Sequence, residues 1–331
     1  MTGRPRVTVL GGTRFIGRAV VRELLHTGHE VQMIHRGEGS CALFPEVAHL
    51  HADRADLPRL VMPVRSFRPD VVVDINGLGR TDVTSALPAV RDAARFVVIS
   101  SCDVYDAYLG YRLNKLVQSG PITERSPLRK RRRVLPHAVP QRPDYDKLDV
   151  EDAWRGYPAV ILRPTAVYGE YDYLRREGFV LDRILARRRQ IPFGPGNLRY
   201  TRVSVTDLAR CVRLVVDCEA VEGETFNVAE HVTLDVRAWA QAIARAADVD
   251  IEYVPVHESV LPDGLRLSTT YRQHLVISST KARTMLGWLP SPLEESITAS
   301  VRWHAGRAPV ERSFAADDLA LATVPPTART S

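Results

Sequence analysis

The strongest constraint on how this chain folds is a short apolar run that leads directly into a glycine-rich turn and a helical pattern. Residues 6–10 form the run and residues 11–17 contain the turn, and apolar residues then recur every three to five positions up to Leu25. Gly28 ends the helical pattern, and residues 30–34 again have the composition of a strand. Strand, turn, helix and strand in about 30 residues make one βαβ unit.

The same alternation continues along the chain. Residues 70–74, 96–100 and 159–162 are continuous, largely β-branched runs, as expected for strands that are buried on both faces of a parallel sheet. Repeated βα units predict an α/β fold with a doubly wound parallel sheet of the Rossmann type. After Gly169 the pattern becomes mixed, which predicts a smaller C-terminal α/β part.

Apolar runs, cysteine spacing and the N-terminal sequence limit the classes of protein to which the chain can belong. The chain has 331 residues, no apolar run long enough to span a membrane, and four cysteines without metal-ligand spacing. The N-terminus lacks the apolar core of a secretory signal, so we expect a cytoplasmic protein with reduced thiols, no membrane partner and no metal site. His35, His137, His231 and His274 show no ligand spacing and receive no role.

The net charge of +6 is concentrated in a few segments, above all in residues 129–133. Such a run is most often a solvated loop. Two other interpretations remain open, namely a lid that attracts a phosphorylated substrate and a patch that binds nucleic acid. The run has no accompanying aromatic motif for stacking bases, which disfavours nucleic acid without excluding it.

The glycine turn predicts a binding site for a dinucleotide. A glycine at the end of a strand lets backbone N–H groups approach a pyrophosphate, which then lies at the positive end of the following helix. A second glycine lets the helix pack closely on the sheet. The predicted cofactor-binding residues of the turn are Gly11, Thr13, Arg14, Phe15, Ile16 and Gly17.

The end of the second strand favours NADP over NAD. An acidic residue there would bind the adenosine ribose, whereas this strand runs into Arg36 with no acid before Glu38. Arg14 offers a second cation for a 2′-phosphate. Asp53 and its neighbour Arg54 follow the next strand and are assigned to the adenine end, although capping of a helix explains Asp53 equally well.

An ordered series of motifs gives the chain a family resemblance. It comprises residues 11–17, 100–105, 163–169, 203–209, 223–228 and 281–288. The series resembles an extended short-chain dehydrogenase/reductase of the NAD-dependent epimerase/dehydratase family over nearly all of residues 5–304. The sequence of the glycine turn, with Arg14 in place of the middle glycine, resembles the branch that includes chloroplast stem-loop-binding proteins.

The resemblance implies roles for the parts of the chain. Residues 1–169 would form the dinucleotide-binding core, and residues 170–305 would mainly bind the substrate while some of their elements return to the core. Within the core, segment 106–143 is rich in Pro and Arg and is expected to be a long loop or lid. Residues 306–331 are expected to form a flexible tail. A homodimer is also implied.

The family's chemistry implies a serine, a tyrosine and a lysine. Ser101 matches the serine that orients a substrate hydroxyl, although capping a turn would also explain it. Lys147, followed four residues later by Glu151, matches the lysine that holds the nicotinamide ribose and lowers the pKa of the tyrosine. The family's tyrosine stands four residues before the lysine, but here that position is Pro143 and the nearest tyrosine is Tyr145.

Three interpretations of this departure stay open. Tyr145 lies about 200° around a regular helix from Lys147, so it serves only if it sits in an irregular first turn. Alternatively, Tyr105 or a residue of the long loop has replaced it, or the redox cycle is impaired and the protein binds without catalysing. Tyr111 and Lys115 have the family's spacing, but they follow Ser101 too closely to lie on the next helix.

On the substrate side, the resemblance implies a small molecule, phosphorylated or linked to a nucleotide. Candidate substrate-binding residues are Tyr105, Arg199, Arg202 and Arg272. The leading hypothesis is an NAD(P)-dependent epimerase, dehydratase or reductase that acts on a hydroxylated, sugar-like substrate through a hydride step. The alternatives are a nucleic-acid-binding or regulatory protein on an impaired dehydrogenase scaffold, and a non-redox enzyme that keeps the cofactor as a structural element.

Overall fold

The computed structural model describes residues 3–37, 43–134, 142–307 and 312–325. Its strands, in chain order, are β1 (Val7–Leu10), β2 (Val31–His35), β3 (Ala48–His51), β4 (Val71–Asp74), β5 (Arg95–Ile99), β6 (Ala159–Pro164), β7 (Ala166–Tyr168), β8 (Gln190–Phe193), β9 (Arg202–Ser204), β10 (Thr225–Val228) and β11 (Glu252–Pro255).

The helices alternate with these strands through most of the chain. They are α1 (Phe15–His26), α2 (Val61–Phe67), α3 (Arg80–Val90), α4 (Asp106–Arg112), α5 (Lys147–Trp154), α6 (Gly178–Leu185), α7 (Val205–Asp217), α8 (Val236–Ala246), α9 (Thr280–Leu286), α10 (Leu293–Ala305) and α11 (Ala315–Ala322). None of the helices within the described ranges is both long and apolar enough to cross a lipid bilayer.

Seven parallel strands form the central sheet, in the order β10-β6-β5-β4-β1-β2-β3. The predicted doubly wound Rossmann sheet is therefore confirmed. The strand order reverses between β1 and β4, and ligands of such sheets bind beyond the carboxyl ends of the strands at this point. β10 joins the sheet from the C-terminal half of the chain, as expected for elements that return to the core.

The β-branched runs divide their side chains between two hydrophobic cores. In β4, Val71 and Val73 pack with α1 and α7 on one face of the sheet. Val72 lies in the opposite core, with side chains of α2, α3 and α5. Alternate residues thus serve both faces, which explains why the strands read as continuous apolar runs.

The smaller C-terminal part has its own apolar core. It contains the two-stranded parallel sheet of β8 and β11 and the helices α6, α8 and α10. Tyr168 and Trp239 meet edge to face at its centre, with ring centroids 4.9 Å apart. This part borders the carboxyl edge of the central sheet through the short β7–β9 pair.

Two segments differ from the sequence-based expectation. Segment 106–143 begins with helix α4, and Arg129 within it is buried, so its described part is a packed structure as well as a connection. Residues 306–331, expected to be a flexible tail, include α11, in which buried Asp317 accepts hydrogen bonds of 2.6 and 2.8 Å from Arg183. Long-range ion pairs such as these leave no periodic trace in a sequence.

Candidate active site

The glycine turn closes tightly between β1 and α1. Gly11 has a φ of +88°, and a Cβ placed there would lie 3.0 Å from the side chain of Asn76. At Gly17 a Cβ would lie only 2.1 Å from the carbonyl oxygen of Gly11. Any side chain at Gly17 would force helix and turn apart, so the close approach depends on glycine.

The N-terminus of α1 is open to an anion. Its N-cap residue, Arg14, is extended and makes no hydrogen bond from its side chain to the helix end. The first-turn N–H groups of a helix have no partner within the helix, and together with the helix dipole they favour a negative group. Thr13 and Ile16 are partly exposed beside it, Phe15 is buried, and the donor set fits the diphosphate of a dinucleotide.

Beside this turn, Arg54 is held by side chains at and just after the end of β4. Its guanidinium donates to both carboxylate oxygens of Asp74, at 2.6 and 2.7 Å, and to Oδ1 of Asn76 at 3.0 Å. Arg54 therefore positions the end of β4 and the Asn76 side chain beside Gly11, and its assignment to the adenine end stays a prediction. Sequence analysis did not identify Asp74 or Asn76.

The adenosine end carries two further predicted residues. Asp53 caps the 3₁₀ helix Arg54–Leu60 by accepting a hydrogen bond from the N–H of Ala55. Of the two roles considered for Asp53, the structure therefore shows the helix cap. Arg36 is exposed directly after β2, at the edge where the adenosine ribose binds in folds of this type.

Lys147 begins α5 and reaches the carboxyl ends of two central strands. Its Nζ donates to the carbonyl oxygen of Gly77 at 2.7 Å and to that of Ile99 at 2.8 Å. Burial lowers the pKa of Lys147, and the carboxylates of Asp74 and Asp103 oppose this shift. The amino group thus lies at the carboxyl edge of the central sheet, and its role in holding the nicotinamide ribose stays a prediction.

Tyr145 precedes α5 and is not part of it. The helix begins at Lys147 with Asp146 as its N-cap, so the geometry is that of an irregular entry to the helix. The Tyr145 hydroxyl donates to Oδ2 of Asp103 at 2.6 Å. Burial, and then the Asp103 carboxylate, raise the pKa of Tyr145 well above its usual value, the opposite of the lowering that the resemblance implies.

Asp103 is the acidic residue that sequence analysis missed. It is 4% exposed, and burial raises the pKa of its carboxyl group against the effects of Tyr145, Arg129 and Lys147. Its second oxygen, Oδ1, accepts no hydrogen bond from the described residues and lies 3.8 Å from Nη2 of Arg129. In the sequence, the feature that could have identified Asp103 is its position two residues after Ser101.

Ser101 lies on the same segment as Asp103. Its Oγ accepts a hydrogen bond of 3.1 Å from the N–H of Asp103 and caps the 3₁₀ helix Cys102–Val104. The capping interpretation is therefore observed. The hydroxyl proton is not used in this contact, so Ser101 keeps a donor for a substrate at this edge.

Tyr105 is not accessible to a substrate. Its side chain is fully buried, its hydroxyl donates to Oδ1 of Asn227 at 2.6 Å, and Arg163 donates to its oxygen at 3.1 Å. Burial raises the pKa of Tyr105 to about 12. These contacts correct its assignment as a substrate-binding residue and argue against it as the replacement for the family's tyrosine.

The three candidate substrate arginines differ in exposure. Arg199 and Arg272 are exposed, and the backbone N–H of Arg272 donates to Oδ1 of Asn114. Arg202 is 5% exposed, with its guanidinium 4.3 Å from the centre of the Trp239 ring, and burial lowers its pKa to about 10. Arg202 is thus packed beside Trp239 in the C-terminal part, and its role in binding a phosphate stays a prediction.

The structure also decides on the tyrosine–lysine spacing after Ser101 and shows a group of histidines. Tyr111 does lie on α4, the first α-helix after Ser101, contrary to the expectation that it follows Ser101 too closely, but α4 ends at Arg112, so Lys115 does not share its helical face. Tyr111 stacks on Tyr271 with ring centroids 5.2 Å apart. Ligand spacing in the sequence predicts no metal site, and the structure brings three imidazoles together at the ends of β2 and β3. His137 lies outside the described residues.

The basic run 129–133 is only partly a solvated face. Arg129 is buried and binds both carboxylate oxygens of Asp146, at 2.9 and 2.6 Å. Arg132 pairs with Asp152 on α5 at 2.7 Å. Lys130, Arg131 and Arg133 are exposed. The run therefore anchors the entry to α5 through Arg129 and Arg132, while all of its cations except Arg129 are exposed at the surface.

Comparison with known proteins identifies relatives along the whole chain. A sequence model described as the NAD dependent epimerase/dehydratase family matches residues 7–229, which extend from β1 to just beyond β10. The chloroplast stem-loop binding protein of 41 kDa b from Arabidopsis thaliana is 27% identical over 344 residues, covering 96% of this chain and 84% of that protein.

Solved structures share the fold at low identity. UDP-glucose 4-epimerase from Thermotoga maritima, crystallised with UDP-glucose, superposes with a TM-score of 0.70 at 19% identity, covering 91% of this chain and 99% of that chain. The dTDP-glucose 4,6-dehydratase of Bacillus anthracis, in complex with NAD, gives a TM-score of 0.68 at 17% identity, covering 91% and 97%. At these identities the likeness establishes the architecture.

Proposed function

Because this chain belongs to the NAD-dependent epimerase/dehydratase family, we propose that it is an NAD(P)-dependent epimerase, dehydratase or reductase of a hydroxylated, sugar-like substrate. The observation that carries this proposal is the convergence of Lys147, Asp103 and Tyr145 at the carboxyl edge of the sheet. A buried amine and a buried acid–phenol pair in one place are typical of proton-transfer sites.

The chain's own groups would hold the cofactor at two points. Backbone N–H groups at the start of α1 would bind the diphosphate, and the Lys147 amino group would bind the nicotinamide ribose in place of the carbonyl oxygens of Gly77 and Ile99. When bound, the nicotinamide supplies a centre that accepts and returns a hydride. Exposed Arg36 and Arg14 support NADP as the preferred form.

Asp103 explains how Tyr145 could work despite its high pKa. A substrate hydroxyl gives its proton to the Tyr145 oxygen while the phenol proton moves along the existing hydrogen bond to Oδ2 of Asp103. Asp103 ends neutral, the state that burial favours, and no phenolate has to form. The reverse transfer restores the pair. Ser101 would orient the substrate hydroxyl through its unused proton.

The substrate class is proposed from the relatives and from charge. One structural relative binds UDP-glucose, and another is named for dTDP-glucose. Exposed Arg199 and Arg272 offer guanidinium groups for a diphosphate on the C-terminal side. A nucleotide-linked sugar combines this anion with the hydroxyl groups that the Asp103–Tyr145 pair needs.

The proposal is tested by two measurements on the purified protein. Calorimetry with NADP and NAD measures cofactor binding, and incubation with UDP-glucose, dTDP-glucose and other nucleotide sugars in D₂O measures exchange at substrate carbons. Lys147→Met should weaken dinucleotide binding and abolish exchange, whereas Lys130→Met, which changes an exposed lysine, should do neither. Absence of dinucleotide binding by folded protein would overturn the proposal.

A stem-loop nucleic acid is the second candidate ligand. The Arabidopsis relative is named for stem-loop binding, and Lys130, Arg131 and Arg133 are exposed together. If this surface binds RNA, a triple change of these residues to Gln should abolish a salt-sensitive gel shift that the native protein produces at low salt. A triple change of Arg59, Arg80 and Arg91, which are exposed elsewhere, is the matched control.

We also propose a homodimer, because family members commonly pair through two helices. Light scattering coupled to gel filtration should give twice the chain mass of 37.0 kDa. A monomeric mass at micromolar concentration would contradict this.

A further inference from the structure

Three histidine rings meet at the carboxyl ends of β2 and β3, in a place that the proposed chemistry does not use. His35 ends β2 and lies opposite His51 in the parallel register, and His49 precedes His51 by two residues on β3. Because alternate residues of a strand point to the same face, the three imidazoles project from one face of the sheet. β3 is the edge strand, and exposure increases from buried His35 through His49 to exposed His51.

The rings converge on a common space. One ligand nitrogen of each histidine lies within 4.8 Å of those of the other two. The ring planes are inclined by 85° between His35 and His49, 62° between His35 and His51, and 72° between His49 and His51. The rings are therefore inclined to each other and are not stacked, which leaves their edges facing the shared space.

The surrounding hydrogen bonds orient two of the rings. His49 Nε2 lies 2.9 Å from the carbonyl oxygen of Phe44, and a proton on Nε2 leaves the lone pair on Nδ1 directed at the other rings. His35 Nε2 and His49 Nδ1 are 2.8 Å apart and share a proton. The N–H of Gly37 donates to Nδ1 of His35 at 3.1 Å. A backbone carbonyl on the outer nitrogen of a histidine is a common support of metal ligands.

We propose that His35, His49 and His51 form a binding site for one divalent transition-metal ion of the zinc class. Three neutral imidazoles suit Zn²⁺, Co²⁺ or Ni²⁺, whereas Mg²⁺ and Ca²⁺ prefer oxygen ligands. Three protein ligands leave one position of a tetrahedral ion for water or another small ligand. Exposed His51 gives the ion a path from solvent.

The proton balance of binding is defined by the existing contacts. The ion takes the place of the proton that His35 Nε2 and His49 Nδ1 share. This proton leaves for solvent or moves to Nδ1 of His35, and in the second case the Gly37 N–H has to turn away from that nitrogen.

Binding of an ion is expected to link two strands at the edge of the sheet. His35 and His51 belong to adjacent strands, so a shared ion links edge strand β3 to β2. Since an ion that binds only the folded chain stabilises it by mass action, Zn²⁺ should raise the unfolding temperature. The site lies beside Arg36, but its existence does not depend on the proposed enzymatic function.

The test uses untagged full-length protein, stripped with a chelator and dialysed. Titration with ZnCl₂ by calorimetry should give one ion per chain, and Co²⁺ should produce the intense visible absorption of a tetrahedral site. His51→Ala should weaken Zn²⁺ binding by at least about 100-fold, and His49→Ala should do the same. His231→Ala, at another exposed histidine, should leave binding unchanged, and Mg²⁺ should not compete.

Two results would overturn the proposal. One is the absence of Zn²⁺ binding at micromolar concentrations by protein whose circular dichroism shows that it is folded. The other is binding of equal strength in the native chain and in the His49→Ala/His51→Ala double variant, which would mean that the ion sits elsewhere. His51 is exposed, so its replacement by alanine should fold even if a His35 variant does not.

Discussion

The Tyr145 hydroxyl donates a 2.6 Å hydrogen bond to Oδ2 of Asp103, across 42 positions of the chain. Asp103 follows β5 and Tyr145 precedes α5, so the bond joins the end of a strand to the start of the helix that leads on to β6. Burial raises the pKa values of both groups, which keeps a proton within the pair. Tyr145 and Lys147 do not share a helical face, because α5 begins only at Lys147.

Removal of the Asp103 charge should lower the pKa of Tyr145 and slow the reaction. The carboxylate is one cause of the high phenol pKa, so Asp103→Asn should move the titration of Tyr145 to lower pH, measured by phenolate absorbance against Tyr145→Phe. Loss of the proton acceptor should reduce kcat by about 10²- to 10⁴-fold. Asp263→Asn, at an exposed aspartate, is the control, and equal rates in the native protein and Asp103→Asn would refute the relay.

Arg36→Ala should reverse the cofactor preference. If the Arg36 guanidinium binds the 2′-phosphate, its loss removes a charge-assisted hydrogen bond of about 1.5–3 kcal/mol, which weakens NADP binding by about 10- to 100-fold. NAD lacks this phosphate, so its dissociation constant should change little. Calorimetry with both dinucleotides measures the ratio, and Arg91→Ala supplies an exposed control. A parallel loss for NAD and NADP would show that Arg36 does not select the cofactor.

Arg129→Met should destabilise the fold and disturb the entry to α5. The change leaves Asp146, which is fully buried, without its charge partner, and breaking such a pair costs about 3–5 kcal/mol. Asp146 also caps α5 through the N–H of Leu148, next to Lys147. Urea unfolding measures the loss, and Arg131→Met, at an exposed position, should cost far less.

A double variant separates the buried charge from lost packing. Arg129→Met/Asp146→Asn removes both charges, so it should be more stable than Arg129→Met alone. If the double variant is as unstable as the sum of the two single variants, the charge pair does not explain the effect.

Glu230→Gln should change how stability depends on pH. Glu230 is buried, its Oε1 accepts a 2.7 Å hydrogen bond from Tyr168, and burial raises its pKa to about 7. In the unfolded chain, the carboxyl group of Glu230 has its ordinary pKa of about 4.3 and loses its proton above that pH. The folded state therefore holds more protons between these values, and the free energy of unfolding falls as the pH rises through this window.

Glutamine stays neutral throughout, so the native protein should lose up to about 3 kcal/mol relative to Glu230→Gln between pH 4 and pH 8. Urea unfolding at several pH values measures this difference. Glu219→Gln, at an exposed glutamate, should give a curve parallel to that of the native protein. A parallel curve for Glu230→Gln as well would mean that Glu230 titrates normally.

Much of the core could be predicted because its signals are local. The run before Gly11, the helix after it and the β-branched strands are set by residues close together in the chain, and the structure contains the sheet they predict. Lys147 could be located as well, because its motif is contiguous. Local pattern also gave a wrong prediction. Tyr105 belongs to a motif near Ser101 and is predicted to bind the substrate, but its side chain points into the core.

By itself the sequence determined the fold class, the glycine turn and the segment that carries the lysine, since hydrophobic period and turn chemistry act over a few residues. Only the tertiary structure decided which distant side chains meet: Asp103 with Tyr145, Arg129 with Asp146, and His35 with His49 and His51. These contacts arise where the carboxyl ends of parallel strands converge. Residues far apart in the chain become neighbours there, and no spacing along the sequence encodes that distance.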